Sequence, residues 1–429
     1  MVPVFVTDAR RAVSLGALAL SLTAASCSSD DAAKPPHHDG ASDAAAHGDG
    51  GVTPAPEGSP YATLEEWHLF TDAKAQVPAS GVIPYDVIAQ LFSDYAFKRR
   101  FVYVPPGKKI GYSATDRWNL PVGTILVKTF SYLTDGKDPK NGERLLETRL
   151  LIHETDGWAP HTYVWNAAQT SAALTTGGAT IDSRIVTPSG KTLQNGYLVP
   201  SEDDCRTCHG RLGYTDTLGG RTRQLDRDHD YGNGPENQID HLAKLGLFDV
   251  TPEAPADRVH LVDPFGDAPL SERARSYLDG NCGHCHQRGE ANASQSGYWV
   301  DYPSTDPVTA SDLHWGVCKQ PTSATGSTCG LWADVYPGRP DQSILVCRIE
   351  SQQARARMPP VGRTLVHDEG VALLRDWIAG LPGAACNAPG GEDAGGGGGH
   401  DAGLRDAASP NDAASRSDAV SPSDAAHSD

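Results

Sequence analysis

Tyr277-Leu-Asp-Gly-Asn-Cys282-Gly-His-Cys285-His286 decides how the rest of the chain is read, together with its upstream echo Asp204-Cys205-Arg-Thr-Cys208-His209. Both contain Cys-x-x-Cys-His. The spacing suits one chemistry closely: two thiols add to the two vinyl groups of a porphyrin while the adjacent imidazole turns under the ring to bind iron. With 9 Cys and 16 His in 429 residues, random order would produce such a pentad in only about one chain in a hundred. Two copies therefore point to two covalent haems of the c type, one on Cys205, Cys208 and His209, the other on Cys282, Cys285 and His286. A zinc site and a redox Cys-x-x-Cys pair are the other chemistries open to this spacing.

The chain is long enough for two or three domains and carries a net charge of -18. An acidic surface argues against nucleic acid and against a bare anionic membrane as partners. A mean hydropathy of -0.41 describes a soluble globular body rather than a bundle of membrane spans.

The N-terminus, residues 1-27, reads as a targeting segment. Arg10 and Arg11 precede a short apolar run, Ala12 to Ala25, too brief to span a bilayer. Ala24-Ala25-Ser26-Cys27 follows and resembles a bacterial lipoprotein signal, in which Cys27 becomes the lipidated first residue; Ala24 departs from the usual Leu. An ordinary secretory signal cut nearby is the other reading, and both export the chain. Ser28 after the cysteine suggests, by the same resemblance, an outer-membrane lipoprotein facing the periplasm or the cell surface. Residues 28-60 are rich in Asp, Ala, Gly, Pro, Ser and His and predict a disordered tether. A low-complexity tail, 387-429, balances it at the other end; its eight acids and two arginines hold six of the 18 excess negative charges.

Between tether and haem motifs, residues 61-199 predict a β-rich, sandwich-like domain. Arg144 to Glu154 alternates, with Leu146, Thr148, Leu150 and Ile152 on one face and Glu147, Arg149 and His153 on the other, the pattern of a half-buried strand. Further strands are expected at Arg100 to Val104, Gly123 to Tyr132, Tyr163 to Asn166 and Ala179 to Thr187, with turns at Asp135-Gly136, Asp156-Gly157 and Ser189-Gly190. Trp118, Trp158 and Trp165 read as packing residues. Residues 200-265 form the first haem segment, where Ser201 offers a helix cap ahead of Cys205. Glu236 to Leu245 has the spacing of an amphipathic helix.

The second haem domain spans 266-386. A helix from Ser271 to Asp279 leads into the motif, Arg357-Met358-Pro359-Pro360 follows, and a helix from Asp368 to Ala379 closes it. This order resembles a class I cytochrome c, although 72 residues separate His286 from Met358. The resemblance widens over Leu91-Phe-Ser-Asp-Tyr-Ala96, Pro121-Val-Gly-Thr-Ile-Leu-Val-Lys-Thr129, Arg144-Leu-Leu-Glu-Thr-Arg149, Tyr163-Val-Trp-Asn166, Arg273-Ala-Arg-Ser-Tyr-Leu278 and His367-Asp-Glu-Gly370. Together these stretches, across roughly residues 80 to 382, resemble a bacterial family of exported dihaem c-type cytochromes. The resemblance implies two covalent haems and electron transfer with redox partner proteins, and it identifies neither those partners nor a substrate. The expected fold class is multidomain α+β: a β-rich domain followed by mainly α cytochrome c-type haem domains.

Once a signal is removed, Met358 is the single methionine, so one haem at most is ligated by His and Met. Met358 is assigned to the iron of His286, and the haem of His209 is left to another His, a Lys or an open position. His229 and His241 are nearest in sequence. Cys318, Cys329, Cys347 and Cys386 form an even set in an oxidising compartment and predict two disulfides, paired by proximity as Cys318 with Cys329 and Cys347 with Cys386. Electron transfer is the expected function. The alternative is a dihaem peroxidase-like enzyme with one open iron, for which no distal acid-base residues are evident.

Overall fold

The computed structural model describes residues 51-211, 214-289, 293, 296-305, 315-322, 329-382 and 386. The targeting segment with Cys27, most of the tether and the C-terminal tail lie outside the described residues. A short ribbon, β1 (Phe70–Asp72) with β2 (Val77–Pro78), leads into six strands that pair in chain order as one antiparallel sheet. These are β3 (Val82–Tyr85), β4 (Phe97–Tyr103), β5 (Ile125–Leu133), β6 (Glu143–Glu154), β7 (Gly157–Trp165) and β8 (Ala172–Leu174). A separate hairpin follows, β9 (Ala179–Val186) and β10 (Thr192–Val199). Gly136, Gly157 and Gly190 take positive φ at the turns expected of them.

The sheet buries both faces, which corrects the half-buried reading of β6. One face packs Phe101, Ile125, Val127, Leu150 and Ile152 against Leu64, Trp67 and Leu69. The other face is apolar at its ends, with Val102 against Trp118, Leu225 and Ile239 at one end and Phe130, Tyr132 and Leu146 against Ile185 and Tyr197 at the other. Its middle is polar. There Glu147 is fully buried, bonded to the Tyr197 hydroxyl at 2.6 Å and to Arg149. A bulge in β6 opposite Phe130 and Ser131 shifts its register on β5, so Leu145 rather than Leu146 shares the face of Leu150 and Ile152, and Leu146 turns to the other face.

Residues 51-60, read as tether, lie along this domain. The Thr53 N–H donates to Trp67 O, and the Glu57 carboxylate accepts from both the N–H and the hydroxyl of Thr155. Val52 and Ala55 pack against the same core, so the segment docks through two small apolar side chains as well as through these hydrogen bonds.

From residue 200 the chain continues through α1 (Glu202–His209), the ribbons β11 (Gly210–Arg211) with β12 (Tyr214–Thr215), α2 (Thr222–Leu225), and β13 (Asp228–Asp230) with β14 (Pro235–Asn237). Then come α3 (Gln238–Lys244), α4 (Leu270–Leu278), a π-helical turn at Asp279–Gly283, α5 (Ile344–Glu350) and α6 (Asp368–Gly380). The expected mainly α haem domains are not what forms. The helices are few, four to thirteen residues long, and even with the 3-10 and π turns only 23% of the described residues are helical, with loops and isolated bridges between them. Prolines explain part of this: Pro252, Pro255, Pro264 and Pro269 interrupt the stretch between α3 and α4, and each removes a backbone donor a helix would need. All described residues also belong to one compact unit rather than to several.

The core of the C-terminal part packs Tyr277, Leu278, Trp315, Val346, Leu374 and Trp377 together. α4 and α6 approach closely because position 370 is glycine: a Cβ there would fall 2.2 Å from the Tyr277 hydroxyl oxygen. That hydroxyl instead bonds His367 Nδ1 at 2.9 Å, at the start of α6.

Candidate functional site

The first attachment motif ends a helix whose start is built as the sequence predicts. Ser201 Oγ accepts from the Asp204 N–H, and the Asp204 carboxylate accepts from the Ser201 N–H, a reciprocal cap that fixes the direction in which α1 leaves β10. α1 then presents Cys205, Cys208 and His209. His209 Nδ1 lies 2.8 Å from the Asp216 carbonyl oxygen, so this nitrogen carries the proton and Nε2 keeps its lone pair. Burial lowers the proton affinity of the ring and holds it neutral, as a metal-binding imidazole must be.

Cys208 and His209 open on a cavity of about 220 Å³ whose far wall is the polar middle of the sheet. Strand register alone aligns that wall: Tyr85 pairs with Arg100, Arg100 with Lys128, and Lys128 with Arg149. Arg117, Arg221 and Arg223 add three more cations from the loops. Four of the six have acids of their own: Arg100 with Asp86 at 2.6 Å, Arg149 with Glu147 at 2.5 Å, Arg117 with Asp216 at 2.7 Å and Arg223 with Asp279 at 3.0 Å. Lys128 and Arg221 have neither a hydrogen bond nor an ion pair among the described residues. Burial, then the neighbouring Arg223, pushes Arg221 down to about 10.

The second motif is reached through α4 and the π-helical turn. Cys285 and His286 N–H groups both donate to the Cys282 carbonyl, at 3.1 and 2.9 Å, which folds the pentad into a tight loop. His286 repeats the arrangement of His209, with Nδ1 3.2 Å from Tyr298 O, and burial holds the ring down to about 4. Its cavity, about 200 Å³, is lined by Cys282, Cys285, Tyr298, Leu345, Ile349, Met358, Pro359 and Pro360. The Met358 segment is tied at both ends: its N–H donates to Arg348 O at 3.0 Å, and Arg363 Nε donates to Met358 O at 2.9 Å. The Tyr298 hydroxyl is buried without a hydrogen-bond partner.

The two motifs meet. Ligand atoms of Cys208, His284 and Cys285 lie within 4.8 Å of one another, and Cys285 Sγ donates to Thr207 O at 3.9 Å. A hydrogen bond between the Cys208 and Cys285 thiols pulls the first down and the second up in pKa. Gly280, just ahead of the second motif, packs directly on Ala89, where a Cβ would lie 2.7 Å from Ala89 O.

All four motif cysteines described are free thiols, whereas Cys318, Cys329, Cys347 and Cys386 are disulfide-bonded. Two disulfides were expected, but the pairing by proximity is corrected: the bonds are Cys318–Cys386 and Cys329–Cys347. Cys318 sits beside the buried Val317–Val335 bridge, and the chain returns there after α6, so tertiary position overrides sequence distance. His229 and His241 do not line the first cavity. They cluster with Tyr231, on which the His241 ring stacks at 3.5 Å, and His241 Nδ1 bonds Glu236 at 2.8 Å. Trp118 and Trp165 are buried packing residues, and Trp158 stacks on His153. Sequence reading missed Lys128, Arg221, His284 and Tyr298. For Lys128 a signal existed: a lysine inside Ile125-Leu-Val-Lys-Thr-Phe130 is a charge in a strand buried on both sides.

The residues fit the group that the motifs imply. Paired thiols are reduced, each adjacent imidazole is neutral with one nitrogen free, and His209 and His286 open on different cavities, with Cys208 and His284 lining both. No family model, curated protein or solved structure matches the chain.

Proposed function

We propose that this protein is an exported dihaem c-type cytochrome that transfers electrons between redox partner proteins. When bound, each haem would supply one-electron chemistry at iron. The observation that carries the reading is the duplicated arrangement: two Cys-x-x-Cys-His motifs, each with its histidine Nδ1 held by a backbone carbonyl and each at the edge of a separate cavity. Cys205 and Cys208, and Cys282 and Cys285, would hold the porphyrins. His209 would hold one iron and His286 the other, with Met358 as a further ligand from the lining of the His286 cavity. The side chain of Arg221, which has no acid partner among the described residues, suits a carboxylate of a porphyrin.

Transfer is favoured over peroxidase-like catalysis by how the carboxylates at the cavities are used. Asp279 is bound by Arg223 at 3.0 and 3.3 Å and Asp334 by Lys319 at 2.9 Å, which leaves neither as a mobile acid or base. The closeness of Cys208 to Cys285 would bring the two attachment edges together and shorten the electron path.

Haem per chain, measured as pyridine haemochrome against protein mass, should be two, and should fall to one in Cys282→Ala/Cys285→Ala. One haem in the parent protein would sink the reading. Stoichiometric zinc without haem would favour instead a metal site on Cys208, His284 and Cys285. Two disulfides support export to an oxidising compartment, and we infer anchoring through Cys27. Cys27→Ser should then move the protein from the membrane fraction to the soluble fraction, and unchanged fractionation would refute the anchor.

A further inference from the structure

Among the described residues the first cavity is lined by no methionine, and His229 and His241 lie elsewhere, so a second ligand for the iron of His209 would come from the cavity's own lining. Four side chains there besides Cys208 and His209 could offer a strong donor to iron: Tyr85, Lys128, His284 and Asp279, the last already bound by Arg223 at 3.0 Å. His284 stands with the Cys208 and Cys285 sulfurs, where a porphyrin would be attached at its edge rather than crossed at its centre. Tyr85 is a buried phenol whose burial favours the protonated form, a poor ligand. Lys128 differs from all three. It projects from β5, between Arg100 and Arg149, into the cavity that His209 enters from α1. Phe130 lies 5.1 Å from its amine, and no hydrogen bond or ion pair holds it among the described residues.

Resting on the dihaem reading, we propose that the Lys128 amine is the second axial ligand of the iron bound by His209. The amine coordinates through its lone pair, so its proton leaves to solvent as the bond forms. The surroundings favour that loss. The strand register sets Lys128 between Arg100 and Arg149, and the buried Glu147 is already engaged by Arg149 and Tyr197. A lysine kept as a cation would be expected to have a carboxylate partner, as Lys319 has Asp334.

The test starts from the full chain loaded with haem, after haem content has been counted. Near-infrared magnetic circular dichroism of the ferric wild type should show one His/amine haem and one His/Met haem. In Lys128→Leu and in Lys128→Arg, which keeps the charge but has no lone pair to give, electron paramagnetic resonance should show one of the two haems turned high-spin. Lys128→Met should restore a low-spin state and add a second thioether-to-iron band. Two low-spin haems in the Leu and Arg variants would overturn the assignment while leaving two haems per chain intact. A bis-histidine signature in the wild type would also overturn it. Fewer than two haems in the wild type would instead remove the reading on which it rests.

Discussion

The two cavities share one pentad and little else. The first is walled by a sheet, whose register lays Arg100, Lys128 and Arg149 side by side, and it collects six cations, two without acids. The second is walled by short helices and a proline turn, is lined by Leu345, Ile349 and Met358, and is bordered by α5, which carries a disulfide. A motif of five residues thus specifies attachment but not environment. Axial ligand and surrounding charge set a haem's potential, so identical motifs here should give unequal irons. The histidine of each motif is even oriented alike, through Nδ1 to a carbonyl, which leaves the opposite wall as the source of any difference.

The sharpest way to break that comparison is at Met358. Met358→Ala should lower the potential of the second haem by on the order of 0.1–0.3 V, a fraction of the roughly 0.8 V that axial ligands span, and leave the first haem's wave in place. Spectroelectrochemistry reads both waves at once, and the thioether-to-iron band should vanish with the upper one. If band and wave survive, the second cavity does not differ from the first in the way proposed.

What could be read in advance follows the range of the interaction. The pentads, the Ser201 cap and the glycine turns are local, and they appear where the residues place them. Alternation located β5 and β6, because a period of two is visible within one strand. It could not show that Lys128 stands between Arg100 and Arg149, since that requires the register of three strands, nor that a bulge turns Leu146 away from the face of Leu150 and Ile152. The meeting of Cys208 with Cys285 joins two segments that no spacing rule links. The helical content of the haem segments was overstated because a resemblance supplied it. Apolar spacing around α3 and α4 supports about two turns each, and the prolines between them prevent more.

The disulfides give a smaller test of the same contrast, because among the described residues both lie on the side of the second cavity. Cys318–Cys386 closes a separation of 68 residues and Cys329–Cys347 one of 18. Loop-closure entropy then assigns about 4 and about 3 kcal/mol to the two bonds. Cys318→Ser/Cys386→Ser should therefore lower stability somewhat more than Cys329→Ser/Cys347→Ser in denaturant titrations followed by haem absorbance. The second pair should carry the more local effect. Cys347 belongs to α5, whose Leu345, Arg348 and Ile349 line the second cavity, and Arg348 O accepts from the Met358 N–H. Freeing α5 should weaken the hold on Met358, so the thioether-to-iron band is expected to fade at lower denaturant than global unfolding. The first haem's spectrum should change only with the global transition. Simultaneous loss of both signals in Cys329→Ser/Cys347→Ser would mean that the two cavities unfold as one, and that the sheet-walled site is no more independent of α5 than the helix-walled one.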